Sequence, residues 1–265
     1  MAIIQIFHPE TYPKEVVEVR RQLMFLPENI KEELLNAKYL SDYTSSSMWE
    51  IDKPFGELHR LLMSVLEPHE IVAYHNTRLA DKKCIFENGL IFSDNRYIEN
   101  IRNTLEKQGI GYGLINEVVE IIKHERDRWA VGNQNRRKNE VCFIYDMDYY
   151  KDYNKFLTVF GGEFMEFGLT SHTGNKGLSK YRQVIKVGSP YVIEFSIPYM
   201  WFTEFERQDI ARYMLEEWIH IDIRKDNPQH QYDGRIEKEI PPEKIIGIHE
   251  VEDAFPDMDE WLFRN

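Results

Sequence analysis

The sequence predicts an α+β fold, with a mainly helical N-terminal portion over residues 1–70 and a domain over 71–265 in which helices come early and strands dominate later. Three observations predict it. Apolar residues recur at helical spacing through most of the first 66 residues and again between Arg96 and Trp129. Several apolar or alternating runs gather after residue 140, the clearest being Tyr191 to Pro198. Finally, Arg235 to Ile248 reads as strand, turn and strand, which points to mostly antiparallel or split sheets.

Taken in order, Ile3 to Ile6 reads as a short strand ended by His8 and Pro9. Pro13 and Pro27 each open a helix, because a fixed φ and a missing N–H suit the first helical position. Val16, Val17, Arg20, Leu23 and Met24 keep helical spacing in the first, and Ile30, Leu34 and Leu35 in the second. Tyr39 to Ser47 is a polar loop, and Gly56 to Leu66 a third helix with Leu58, Leu61, Leu62 and Val65 on one side. This N-terminal portion is expected to pack as a cap on the remainder. Ile71 to Tyr74 is a short apolar strand that ends at His75-Asn-Thr-Arg78. A helical turn through Ile85 and Phe86 is stopped by Asn88-Gly89, and Leu90 to Phe92 resumes as an apolar segment. Ser93-Asp-Asn95 caps a helix from Arg96 to Gln108, and a second helix runs from Leu114 to Trp129. Val141 to Tyr145 is a buried strand, Glu204 to Glu217 a helix, and Trp218 to Arg224 a strand by strict alternation of Ile219, Ile221 and Ile223 with His220, Asp222 and Arg224.

Composition narrows the function classes. The chain has 265 residues, 42% hydrophobic and 13% aromatic, enough to bury a sizeable core. A net charge of −12 argues against a broad phosphate-binding surface, since nucleic-acid affinity rests largely on phosphate neutralisation. A local basic groove remains open, and Arg136, Arg137 and Lys138 lie in a loop without negative charge. The two cysteines, Cys84 and Cys142, sit in apolar segments with no CxxC, as expected of reduced core residues in a cytoplasmic protein. The first ten residues lack a basic leader, and no charge-free apolar run is long enough to span a bilayer, so no membrane role is expected. Nine histidines fall at no metal spacing, and GxGxxG, GxxxxGK[ST], GxSxG and HExxH are absent, so neither a metal nor those chemistries are expected.

Three sets of residues carry candidate chemistry. His75, Asn76, Thr77 and Arg78 form a polar tip after an apolar strand. Glu237-Lys-Glu239 precedes Ile240-Pro-Pro242, and alone reads equally as a charged edge strand. Glu163 follows two glycines in Phe160-Gly-Gly-Glu163, a tight turn ending in a carboxylate. Guanidinium groups clamp phosphates bidentately, so Arg136 and Arg137 are candidate phosphate contacts.

Together, a strand ending in His75-Asn-Thr77, a short helix, the Asn88-Gly-Leu90 exit and the distant Glu237…Ile240-Pro-Pro242 resemble the ADP-ribosyltransferase superfamily, DarT-like and mono-ADP-ribosylating toxins in particular. The resemblance implies a split β-sheet core that binds NAD as substrate and releases nicotinamide, without metal. It implies that Glu237, with Glu163 or Glu239 as alternatives, is the catalytic acid. It implies further that His75, Asn76 and Thr77 hold the nicotinamide-ribose end and that Arg78, Arg136 or Arg137 neutralises the pyrophosphate. For the middle motif two segments answer: Tyr181, as a ring stacking on nicotinamide, or Leu169-Thr-Ser-His-Thr173. Arginine-modifying members usually carry Glu or Gln two residues before the catalytic Glu, whereas this chain has Arg235, which favours a single-stranded nucleic acid over arginine as acceptor. A toxin or phage-defence effector with an antitoxin partner is the expectation. Protein modification, NAD glycohydrolysis and a non-enzymatic binding module are the alternatives.

Overall fold

The computed structural model of the chain describes residues 1–37, 40, 54–130, 139–147, 165–166, 168–170, 178–226 and 232–253. Helix and sheet are mixed, as the α+β expectation requires. Packing divides the chain into two units, Met1–Ala73 with Ser196–Gly234, and Tyr74–Phe195 with Arg235–Asn265. The N-terminal portion expected over 1–70 thus has a second stretch of chain built into it.

In the first unit, β1 (Ile3–Ile4) pairs parallel with the start of β2 (Glu70–Leu79), Ile3 opposite Glu70 and Ile4 opposite Ile71. Helices α1 (Lys14–Gln22) and α2 (Glu28–Asn36) follow Pro13 and Pro27, each proline holding the extended N-cap position one residue before the helix. Helix α3 (Pro54–Leu66) packs against α1 and against α8 (Glu204–Trp218), burying Leu58, Leu62 and Leu66. α8 starts at a capping box: the Thr203 hydroxyl accepts from the Glu206 N–H and the Glu206 carboxylate accepts from the Thr203 N–H, satisfying two otherwise orphaned donors.

The expected strand over Trp218 to Arg224 does not form; α8 continues into a π-helical segment, Ile219–Arg224. The isoleucine alternation mimics a strand, but tertiary ties decide the backbone. Arg20 on α1 clamps the Asp222 carboxylate through Nε at 2.6 Å and Nη2 at 2.8 Å, and the Trp218 indole donates to the Tyr12 hydroxyl at 3.3 Å. His220 to Arg224 are all half-buried, without the inside–outside alternation of a strand, and Lys225 in the left-handed region (φ 58°) closes the segment.

His59 on α3 is buried, and its Nε2 donates to the Gln208 carbonyl of α8 at 2.9 Å. Burial lowers its pKa most; the Gln208 contact raises it, Arg212 lowers it and Asp209 raises it, with a net depression. The folded state therefore resists protonating this ring more than the unfolded chain does. Its contribution to stability is complete above the unfolded value of about 6.5 and is lost as pH falls through that value. Thermal melting between pH 7.5 and 5 should show a smaller acid-induced drop in His59→Gln than in the parent.

The described strands, most of whose residues belong to the second unit, run in the order β5 (Asp233–Ile236), β3 (Val141–Ile144), β2, β4 (Ser189–Pro198), β6 (Ile245–Glu250). β2 and β3 are antiparallel with Tyr74 opposite Ile144, and β4 and β6 antiparallel with Ile193 opposite Ile248. Helices α5 (Asn95–Lys107) and α6 (Tyr112–Ala130) pack against each other around Leu105, Val118, Val119 and Ile122, and the short α7 (Arg182–Ile185) joins this cluster through Val184 and Ile185. Asp94 caps α5 through its carboxylate, which accepts from the Arg96 N–H at 2.7 Å. Cys84, expected in the core, is exposed, and Cys142 is half-buried. No described helix is long and apolar enough to cross a membrane.

Candidate functional site

His75 to Arg78 do not follow the strand, as expected, but lie inside it. β2 extends to Leu79, because pairing with β3 and β4 carries the ladder past the apolar run. Successive side chains in a strand alternate, so His75 and Thr77 share one face and Asn76 and Arg78 the other. His75 Nδ1 donates to the Cys142 carbonyl of β3 at 2.8 Å. A carbonyl can only accept, so Nδ1 carries a proton and donates it to this bond. Thr77 and Asn76 are buried. The Arg78 guanidinium, expected at a pyrophosphate, instead donates to both Asp253 oxygens, from Nη1 at 3.0 Å and Nη2 at 2.9 Å.

After β2, helix α4 (Lys83–Asn88) ends at Gly89, whose φ of 69° makes it the expected C-cap. Leu90 then exchanges two backbone hydrogen bonds with Ile240, N–H to O=C at 2.9 and 3.0 Å. This bridge joins the exit of the His75 element to the Ile240-Pro-Pro242 segment, two stretches of chain separated by about half the sequence. Gly89 is required twice here, since a Cβ on it would lie 1.9 Å from the Ile240 carbonyl oxygen.

Glu237 lies in the bend just after β5 rather than on the strand; it is exposed and makes no hydrogen bond or ion pair among the described residues. Glu239 is committed: it accepts from the Phe92 N–H at 3.1 Å and pairs with Arg96, which also holds Asp94 at 2.8 Å. The Glu239 hydrogen bond raises the Arg96 pKa, with Asp94 adding to it. Glu239 thus anchors the turn, while Glu237 projects from it. Arg235, on the same strand end, faces the buried Glu140 carboxylate at 3.8 Å. β3 therefore stands between the two halves of the candidate site: Cys142 on it accepts from His75, and Glu140, the residue just before it, faces Arg235.

Tyr181 is not brought to this group. Its ring is 1% exposed in the α5–α6 apolar cluster, and its hydroxyl donates to Glu117 at 2.7 Å. Burial, followed by the Glu117 contact, pushes its pKa up to about 12. In the alternative middle segment, Leu169 is buried and the Thr170 hydroxyl donates to the Glu166 carbonyl at 2.8 Å, a helical back-bond rather than a hairpin contact. Glu163, Arg136, Arg137, Ser171 and Thr173 lie outside the described residues. No group of three or more His, Cys, Asp or Glu side chains is placed to hold a metal among the described residues. Asp253, Arg96 and Glu140 escaped sequence reasoning because each acts on a partner far away in sequence, with no local spacing to betray it. Compared with protein-family models, curated proteins and solved structures, the chain has no match.

Proposed function

We propose that the protein is an NAD-dependent ADP-ribosyltransferase that transfers ADP-ribose to a single-stranded nucleic acid and acts as a toxin or defence effector in the cytoplasm, restrained by an antitoxin protein. The observation that carries this reading is the Leu90–Ile240 bridge, which sets the exit of the His75 element beside the turn bearing Glu237. A split NAD site needs that juxtaposition of two distant segments.

In the proposed reaction the bond between the anomeric carbon and the nicotinamide nitrogen breaks, and its electron pair neutralises the pyridinium. The remaining ribosyl cation resembles the oxocarbenium species of glycoside hydrolysis. Glu237 faces that cation and accepts from a ribose hydroxyl, stabilising it electrostatically. His75, its ring oriented by the hydrogen bond to the Cys142 carbonyl, holds the ribose side, and Thr77 on the same face holds the nicotinamide amide. Glu163 remains the alternative acid, and Arg136 and Arg137 the pyrophosphate contacts. The acceptor nitrogen attacks the anomeric carbon and passes its proton to solvent. Arg235, held toward Glu140, places a cation at the position where arginine-modifying enzymes usually carry Glu or Gln, which supports a base over arginine.

Nicotinamide release from NAD tests the reading. Release that depends on both His75 and Glu237, accompanied by label transfer to DNA or RNA, supports it. Absence of release and of any NAD-dependent thermal shift contradicts it.

A further inference from the structure

The face of β2 opposite His75 carries two polar atoms that the proposed chemistry does not use. Asn76 and Arg78 point to the same side, about 7 Å apart along the strand. Asn76 is 6% exposed, and its Oδ1 is buried and accepts no hydrogen bond. The Arg78 side chain is 5% exposed and its Nε–H is buried and donates to nothing.

The reason lies in how Arg78 meets its carboxylate. Asp253 binds end-on, across Nη1 and Nη2, which turns Nε away from it. Arg20 in the first unit meets Asp222 side-on, through Nε and Nη2, so its Nε is paired. Buried polar groups are almost always satisfied, so an orphaned acceptor and an orphaned donor two residues apart on one strand face are an incomplete site.

The surroundings are built for close approach. Gly188 has φ 84°, and a Cβ on it would lie 2.5 Å from the Leu79 carbonyl, so the start of β4 abuts the end of β2 directly beside Arg78. The end of β6 arrives at the same edge, where the Val251 N–H donates to the Pro190 carbonyl at 3.3 Å. Asp253, two residues further on, is 42% exposed.

We propose that Asn76 and Arg78 form a binding site for a sugar phosphate, held closed by the carboxylate of Asp253. Two oxygens of a tetrahedral phosphate present the same paired acceptors as a carboxylate, so a phosphate can replace Asp253 and, binding side-on through Nε and one Nη, satisfy Nε as well. A sugar hydroxyl on the same ligand donates to Asn76 Oδ1. Release of Val251 to Asp253 opens the edge, and the ligand completes both orphaned groups at once. This site is independent of Glu237, and its test does not use nicotinamide release.

Two sources supply a sugar phosphate: a free nucleotide, represented by ADP-ribose, and the backbone of a single-stranded RNA. Titration of each at fixed salt is compared for the parent, Asp253→Asn and the double variant Asp253→Asn/Arg78→Lys. A latch closed about nine-tenths of the time predicts roughly tenfold tighter binding of one or both ligands in Asp253→Asn, and loss of that gain in the double variant. A gain for ADP-ribose alone assigns a nucleotide site, and a gain for RNA a backbone site. Equal affinities in parent and Asp253→Asn, no binding by either, or a gain that survives in the double variant overturn the proposal. Hydrogen exchange on the parent checks it without substitution: the Val251 amide should exchange faster at the highest ligand concentration, and an unchanged or slower rate contradicts the latch.

Discussion

Gly89→Ala should unfold the link between the two halves of the candidate site. Gly89 combines φ 69° with ψ −155°, a conformation essentially confined to glycine, and its missing Cβ makes room for the Ile240 carbonyl. Backbone strain of this kind costs about 1–3 kcal/mol, and forced displacement of a hydrogen-bonded carbonyl adds a similar amount. A loss of roughly 4 kcal/mol would lower the melting temperature by about 8–16 °C in a chain of this size. The Leu90–Ile240 bridge should fail first, so the Leu90 and Ile240 amides should lose hydrogen-exchange protection before those of β4. A substitution tolerated within 1 °C would mean that the close approach of Gly89 to Ile240 is not a feature of the folded chain.

Glu237→Gln should remove most of the proposed activity with little change in stability. The side chain is exposed and makes no hydrogen bond or ion pair among the described residues, so the fold loses little when its charge is removed. Preorganised electrostatic groups facing a developing charge contribute roughly 100- to 1000-fold in rate, and kcat for nicotinamide release should fall by that factor. Glu239→Gln should behave in the opposite way. It holds Arg96 and the Phe92 N–H, so its loss should lower the melting temperature while leaving the chemistry to Glu237. Release that survives Glu237→Gln, but not Glu239→Gln at a temperature where both are folded, would exchange the two roles.

What could be read from the sequence was what local chemistry decides. Asp94 and Gly89 are legible as caps because hydrogen-bonding side chains and positive φ are properties of single residues, and Pro13 and Pro27 mark helix starts for the same reason. The apolar core of β2 and β4 was visible as runs of β-branched residues, but the polar continuation of β2 through His75 to Leu79 was not, since only its neighbours in the sheet keep it extended. Ile219 to Arg224 misled because two periodicities fit six residues equally well, and Arg20, some 200 residues away, decides between them. The same distance hides the pairs that shape the candidate site. Nothing near Arg78 announces Asp253, and nothing near Glu239 announces Arg96. Tyr181 matched a stacking role by its residue type, yet its neighbours Leu178, Val184 and Ile185 mark it as core.

The most direct test of the central claim is incubation of the purified protein with NAD labelled in the adenylate moiety, in separate pools of single-stranded DNA, RNA and protein. Label should appear on a nucleic-acid pool, matched by nicotinamide release, and both should fall sharply in His75→Ala and Glu237→Gln. NAD left intact in every pool would contradict it.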